Sequence, residues 1–240
     1  MNFDGKISLL IACIEFLLLF NLLVFVKKDK INVIALIMIT LLALYQALEF
    51  LMCQIELQNP FFPFLAFGVI SFLPPLNLLL AINLKDQARD KKLNLIFLPA
   101  IGFLVYYLFV IPQFVVTSCT VLYASYHYPL GDLFGFFYYL PILFSIIILT
   151  GIIKNTKDKQ KKLIAKVLLF GSLFISIPVI IGFTLMLFKN YSIISAVEGI
   201  MCKFAFIYAV CLSFICLYNS PFNDERNYFK YLFGNKQQFG

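Results

Sequence analysis

Two residues break an apolar stretch, "AVEGIMCKFAFIYAV" at 196–210: Glu198 and Lys203. Glu15, Gln46 and Glu49 interrupt similar runs nearer the N-terminus. A lone charge at the centre of a membrane helix costs about 2.5–3.5 kcal/mol on insertion scales, so each such residue must be paired, neutralised or put to use. Glu198 and Lys203 are five residues apart, about 140° around a helix, and make poor partners for each other. Gln46 and Glu49 are three apart and share a face beside Tyr45, which makes one hydrogen-bonding patch. Glu49 or Glu15 is the expected counter-ion of Lys203. An ammonium, carboxylates and an amide at one place suit the binding of a polar ligand, or the passage of an ion or proton. The alternative is a packing latch, in which polar side chains bond across helices and fix how they meet.

Other chemistry is excluded by residue type. His127 is the single histidine. Seven-helix zinc hydrolases of the ceramidase and adiponectin-receptor type place several histidines at one site, and bis-histidine haem needs two. Lys203 in the last apolar run resembles the retinal-binding lysine of rhodopsins, but the chain has no Trp and its third run has no acidic counter-ion. "PQ" at 112–113 occurs without the repeat of the PQ-loop transporters. The six cysteines form no metal pattern, and no Walker loop, nucleophile elbow or dinucleotide fingerprint occurs. No cofactor and no metal are expected, and an enzyme is the reading least favoured.

The elements that carry these residues follow from hydropathy. Of 240 residues, 62% are hydrophobic and 13% charged, too few charges to cover a soluble domain. Apolar runs of about 20 residues recur, each able to cross roughly 30 Å of hydrocarbon at 1.5 Å per residue. The expected fold is all-α: a polytopic seven-transmembrane-helix bundle with spans at 7–26, 31–53, 61–84, 93–112, 133–153, 163–188 and 193–218. Segments of about ten alternating residues, the mark of a barrel, are absent. The first run meets "KKDK" without a small-residue cleavage site and reads as a retained span. Residues 1–218 form the expected transmembrane domain, and 219–240 a tail in which Asn223 caps a short interfacial helix. Pro74, Pro75, Pro99, Pro141 and Pro178 fall inside spans, where proline kinks helices.

Charge sets the orientation. The first, third and fifth connections hold 3, 4 and 5 Lys or Arg, the tail holds 3, and Lys166 adds one more, against Lys6 and Lys189 on the other side. By the positive-inside rule the N-terminus faces out and the C-terminus is cytoplasmic. The net charge of +7 is then a basic skirt facing anionic lipid, not a nucleic-acid surface. Glu49, Gln46, Glu15, Glu198 and Lys203 fall roughly 6, 10, 12, 7 and 15 Å below the outer ends of their spans. The long outer loop 113–132 is expected to fold over the bundle as a lid or short hairpin. Cys53 and Cys119 both lie on the outer side, where a disulfide between them is one expectation.

"LLALYQALEFLMC" resembles the Gln-x-x-Glu-Gly segment of a family of small, uncharacterised bacterial seven-helix membrane proteins. "SFLPPLNLLLAI", "YHYPLG" and "SAVEGIMCKFAF" resemble further segments of that family in the same order. This chain departs from it at Phe50, where the family has Gly, and in lacking its tryptophans. The resemblance implies a seven-helix bundle of unknown activity and adds Gln46, Glu49, His127 and Cys202 as site positions. The leading expectation is a multi-pass protein of the bacterial inner membrane, a sensor or binding module whose outward-facing polar pocket is lined by Glu15, Gln46, Glu49, Glu198 and Lys203. Its partners would be the lipid bilayer, a small molecule or lipid on the outer side, and a separate signalling or complex partner. A transporter or channel component and a structural subunit of a membrane complex are the alternatives.

Overall fold

The computed structural model describes residues 6–55, 59–86, 95–119, 124–187 and 191–220. They are mostly helical. In chain order come α1 (Lys6–Phe25), α2 (Lys30–Gln54), α3 (Phe61–Ser71), α4 (Leu73–Asp86), α5 (Leu98–Phe109), a 3-10 turn at Ile111–Gln113, strands β1 (Val115–Cys119) and β2 (Ala124–His127), α6 (Gly131–Asn155), α7 (Lys159–Leu187) and α8 (Tyr191–Asn219). Among the described residues, four helices are long and apolar enough to cross a membrane: Lys6–Phe25, Lys30–Gln54, Phe61–Lys85, which joins α3 and α4, and Leu133–Asn155. Their outward faces are apolar too, as at Leu10, Leu17 and Phe20 on α1 and Phe136, Leu143 and Ile147 on α6. An apolar surface of this extent suits lipid rather than water.

Two prolines shape the third segment. It breaks at Phe72 into α3 and α4, because Pro74 and Pro75 lack the N–H groups that would bond Ile70 and Ser71 one turn back. Pro99 causes no such break. It occupies the first turn of α5, where no intrahelical N–H bond is required. Pro141 and Pro178 are inside α6 and α7. The fold is also not purely helical: β1 and β2 pair antiparallel, Val115 opposite His127 and Cys119 opposite Ala124, with an irregularity between Val116 and Ser118. The interfacial helix expected in the tail lies outside the described residues.

α2 is the hub, packing on α1, α3, α4 and α8, while α8 also packs on α1 and α7. Close approach comes from small residues: Ala35, Ala43, Ala81, Ala165 and Ala209 are fully buried and let backbones meet without a hydrophobic force to drive them. The main apolar cluster joins Met38, Ile39, Leu80, Leu149, Leu168, Leu212 and Ile215. A second, aromatic cluster of Phe64, Phe67, Tyr107, Phe114 and Phe134 joins α3, α5, α6 and the start of the hairpin.

Candidate functional site

Lys203, a little under halfway along α8, sends its ammonium to α1 and α2. Nζ lies 2.7 Å from Glu49 Oε2, and donates to Gln46 Oε1 at 3.1 Å and Ser8 Oγ at 2.8 Å. An ammonium has three N–H donors, so its capacity is filled. The side chain of Lys203 is 14% exposed and that of Glu49 1%. Of the two counter-ions expected from sequence, Glu49 takes the bond. Its position three residues after Gln46 puts both acceptors on the face of α2 that α8 covers. Ser8 was not foreseen. Its sign in the sequence is its place seven residues before Glu15, on the same stripe of α1 as Ile11, Ala12, Leu19 and Leu22.

The second oxygen of Glu49 faces the hairpin. Oε1 accepts the backbone N–H of Ala124, at the start of β2, at 2.8 Å. Four residues further along α2, Cys53 forms a disulfide with Cys119 at the end of β1. The hairpin is therefore held to one face of α2 by a charged hydrogen bond and a covalent link. On its other flank the Tyr107 hydroxyl donates to Pro129 O at 2.7 Å, and Phe114 and Tyr128 stack on each other beside Phe67. The pair is thus roofed by β2, which packs on both α2 and α8. His127, at the far end of β2, is exposed and contributes none of the contacts to Lys203.

Glu15 is the residue left over. It is fully buried on α1, and neither carboxylate oxygen has a hydrogen-bond partner among the described residues. Lys203 acts on it electrostatically, but the lysine's three donors are already spent on Ser8, Gln46 and Glu49. The arrangement holds two acidic side chains to one basic one. Glu198 lies on α8, and Cys202 beside Lys203; the side chains of both are outside the described part of the structure.

Two polar clusters escaped the sequence reading. In mid-bundle, the Tyr208 hydroxyl donates to Asn77 Oδ1 at 2.7 Å, and Asn77 Nδ2 to Ser172 Oγ at 3.1 Å, tying α8, α4 and α7. At the end of the bundle where α1 meets α2, Asp29 caps α2 through the N–H of Asn32 and accepts from Asn219 Nδ2 at 2.7 Å. There Ser220 Oγ accepts from Lys27 N and Asn32 Nδ2. Two further amides within the apolar runs, Asn21 and Asn83, donate only to carbonyls one turn back on their own helices. Signals for the missed groups are thin: one amide in "PPLNLLL", one hydroxyl in "FGSLF".

Among the described residues no group of three or more His, Cys, Asp or Glu is placed to hold a metal ion. Family models, curated proteins and solved structures compared with this chain give no match. The resemblance carried by "LLALYQALEFLMC" rests on its short motifs alone.

Proposed function

We propose that this chain is a seven-span protein of the bacterial inner membrane, N-terminus outside and C-terminus cytoplasmic, that works as a sensor or binding module. Its site is the outer polar cluster of Lys203, Glu49, Gln46 and Ser8, with Glu15 beneath and the disulfide-clamped hairpin as its roof. A polar small molecule or lipid on the outer side is the ligand class. A separate membrane partner would carry the signal onward.

One observation carries this reading: the buried, unpartnered carboxylate of Glu15 beside a lysine whose donors are full. Burying a polar group without a partner costs roughly 1–3 kcal/mol. A chain tolerates that cost at a site kept for something that arrives later. A transporter fits less well. Between Tyr208 and Asn219, α8 gives Leu212, Ile215 and Cys216 to the apolar core, a gap of roughly 16 Å at 1.5 Å per residue.

Native mass spectrometry of the gently purified full chain tests the proposal. Wild type should retain a small molecule or lipid that Glu15→Gln releases while its melting temperature holds, since the Glu15 carboxylate accepts no hydrogen bond among the described residues. Equal retention by Glu15→Gln, or none by wild type, overturns it. The second reading, a structural latch, is favoured by Lys203 joining three helices. Under it, Lys203→Leu lowers the melting temperature and no ligand is lost.

A further inference from the structure

At the opposite end of the bundle from Lys203, a cavity of about 320 Å³ opens between α4, α6 and α7. Its volume is in the range of small-molecule sites. Lys85 at the end of α4 and Lys161 in the first turn of α7 line it where those helices end and begin, with Asn155 and Thr156 at the end of α6. Lys161 Nζ donates to Lys85 O at 2.7 Å. That single bond caps a helix-end carbonyl and leaves two of the three ammonium donors for an incoming acceptor. The floor is different in kind. Gly151 forms part of it, and a Cβ built there meets nothing within 4 Å. Ile147, 58% exposed on the outer face of α6, lines the same space. The apolar part of the cavity thus runs out onto the apolar flank of the bundle, while the polar part faces its basic end.

This division matches an amphiphile. A free inorganic anion has no use for the floor, and a neutral lipid has none for the lysines. We infer that the cavity is a binding site for one anionic phospholipid, with its headgroup phosphate against Lys85 and Lys161 and the start of an acyl chain over Gly151 and along Ile147. Basic pockets between membrane helices recognise anionic headgroups by the same division. The site shares no residue with the outer cluster, so the failure of either leaves the other standing.

Full-length protein, stripped of lipid in detergent, is titrated with phosphatidylglycerol or with phosphatidylcholine of the same chains, and bound lipid is counted by native mass spectrometry. One phosphatidylglycerol should bind at least ten-fold more tightly than phosphatidylcholine. Lys161→Gln should weaken it about ten-fold, and Gly151→Leu, which fills the floor, should abolish it. Lys157→Gln, which removes a lysine at the same end that does not line the cavity, should change nothing. Inorganic phosphate at millimolar concentration should not displace the lipid. Equal binding of the two lipids overturns the inference. So does an equal loss from Lys157→Gln and Lys161→Gln, which would mark general attraction to a basic surface. Displacement by phosphate would reassign the cavity to a soluble anion. Should Gly151→Leu fail to fold, the contrast of Lys161→Gln with Lys157→Gln decides the matter alone.

Discussion

Lys203 meets Glu49 across two helices while Glu15, equally buried, has no hydrogen-bond partner among the described residues. These two carboxylates should respond oppositely to removal. Breaking a buried ion pair from one side strands the other charge and typically costs about 3–5 kcal/mol. Glu49→Leu should therefore lower the thermal midpoint in detergent, and it also frees the N–H of Ala124. The double variant Glu49→Leu/Lys203→Leu should recover part of that loss, giving a coupling energy in a double-mutant cycle. A cycle without coupling would show the pair to be energetically idle. Glu15→Leu should instead raise the midpoint, because it removes a buried polar group that bonds nothing. A fall would mean that Glu15 has a structural partner. Glu49 was legible in the sequence because Gln-x-x-Glu puts both groups on one helix face. The choice of Glu49 over Glu15 was not legible, since it depends on how α1 and α2 are rotated against α8.

At the scale of elements, two devices set how parts meet. α7 and α8 approach closely at Gly171, where a Cβ would lie 2.6 Å from the ring of Tyr208. That ring is buried and its hydroxyl bonds Asn77, so it has no free space to enter. Gly171→Ala should cost about 1–3 kcal/mol through overpacking, measured as a fall in thermal midpoint, whereas Gly151→Ala on α6 should cost far less. The hairpin is the second device. Opening the Cys53–Cys119 bond by reduction, or by Cys119→Ser, leaves the Ala124–Glu49 bond and the aromatic base to hold β1 and β2. Hydrogen exchange should then speed up in 115–127 while the helices stay protected. Unchanged exchange would show that the Ala124–Glu49 bond and the aromatic base seat the hairpin without the disulfide. The hairpin was legible as a long loop between apolar runs, uncharged until Asp132. Its pairing register was not, because the partners of each strand residue lie on the other strand and on α2.

For the whole molecule, the gathering of Lys27, Lys28 and Lys30, Lys85, Lys154 and Lys157 to Lys162 at one end puts most of the described basic side chains where α1 ends, α2 begins, α4 and α6 end and α7 begins. The Lys203 cluster and the disulfide lie toward the other end of α2. In the orientation proposed above, the basic end is the cytoplasmic one, and the disulfide end faces the oxidising side. A C-terminal green fluorescent protein fusion should fluoresce, and a C-terminal alkaline phosphatase fusion should be inactive. The reverse pattern would invert the topology and move the polar cluster to the cytoplasmic half.

The apolar runs, their breaks at Pro74–Pro75 and the asymmetry of charge are local properties, and one sequence determines them. A helix in lipid must be long and apolar, and its flanking lysines act where they stand. Rotation and partnership are not local. The apolar residues of α1 and α6 run right round each helix, so their pattern alone does not say which face turns inward. Only the packed bundle decided that Ser8 and Glu15 face α2 and α8, that Asn77 finds Tyr208 and Ser172, and that Lys85 and Lys161 frame one cavity. Each of these contacts joins residues far apart in the chain, and the energy that selects it comes from groups on both sides at once.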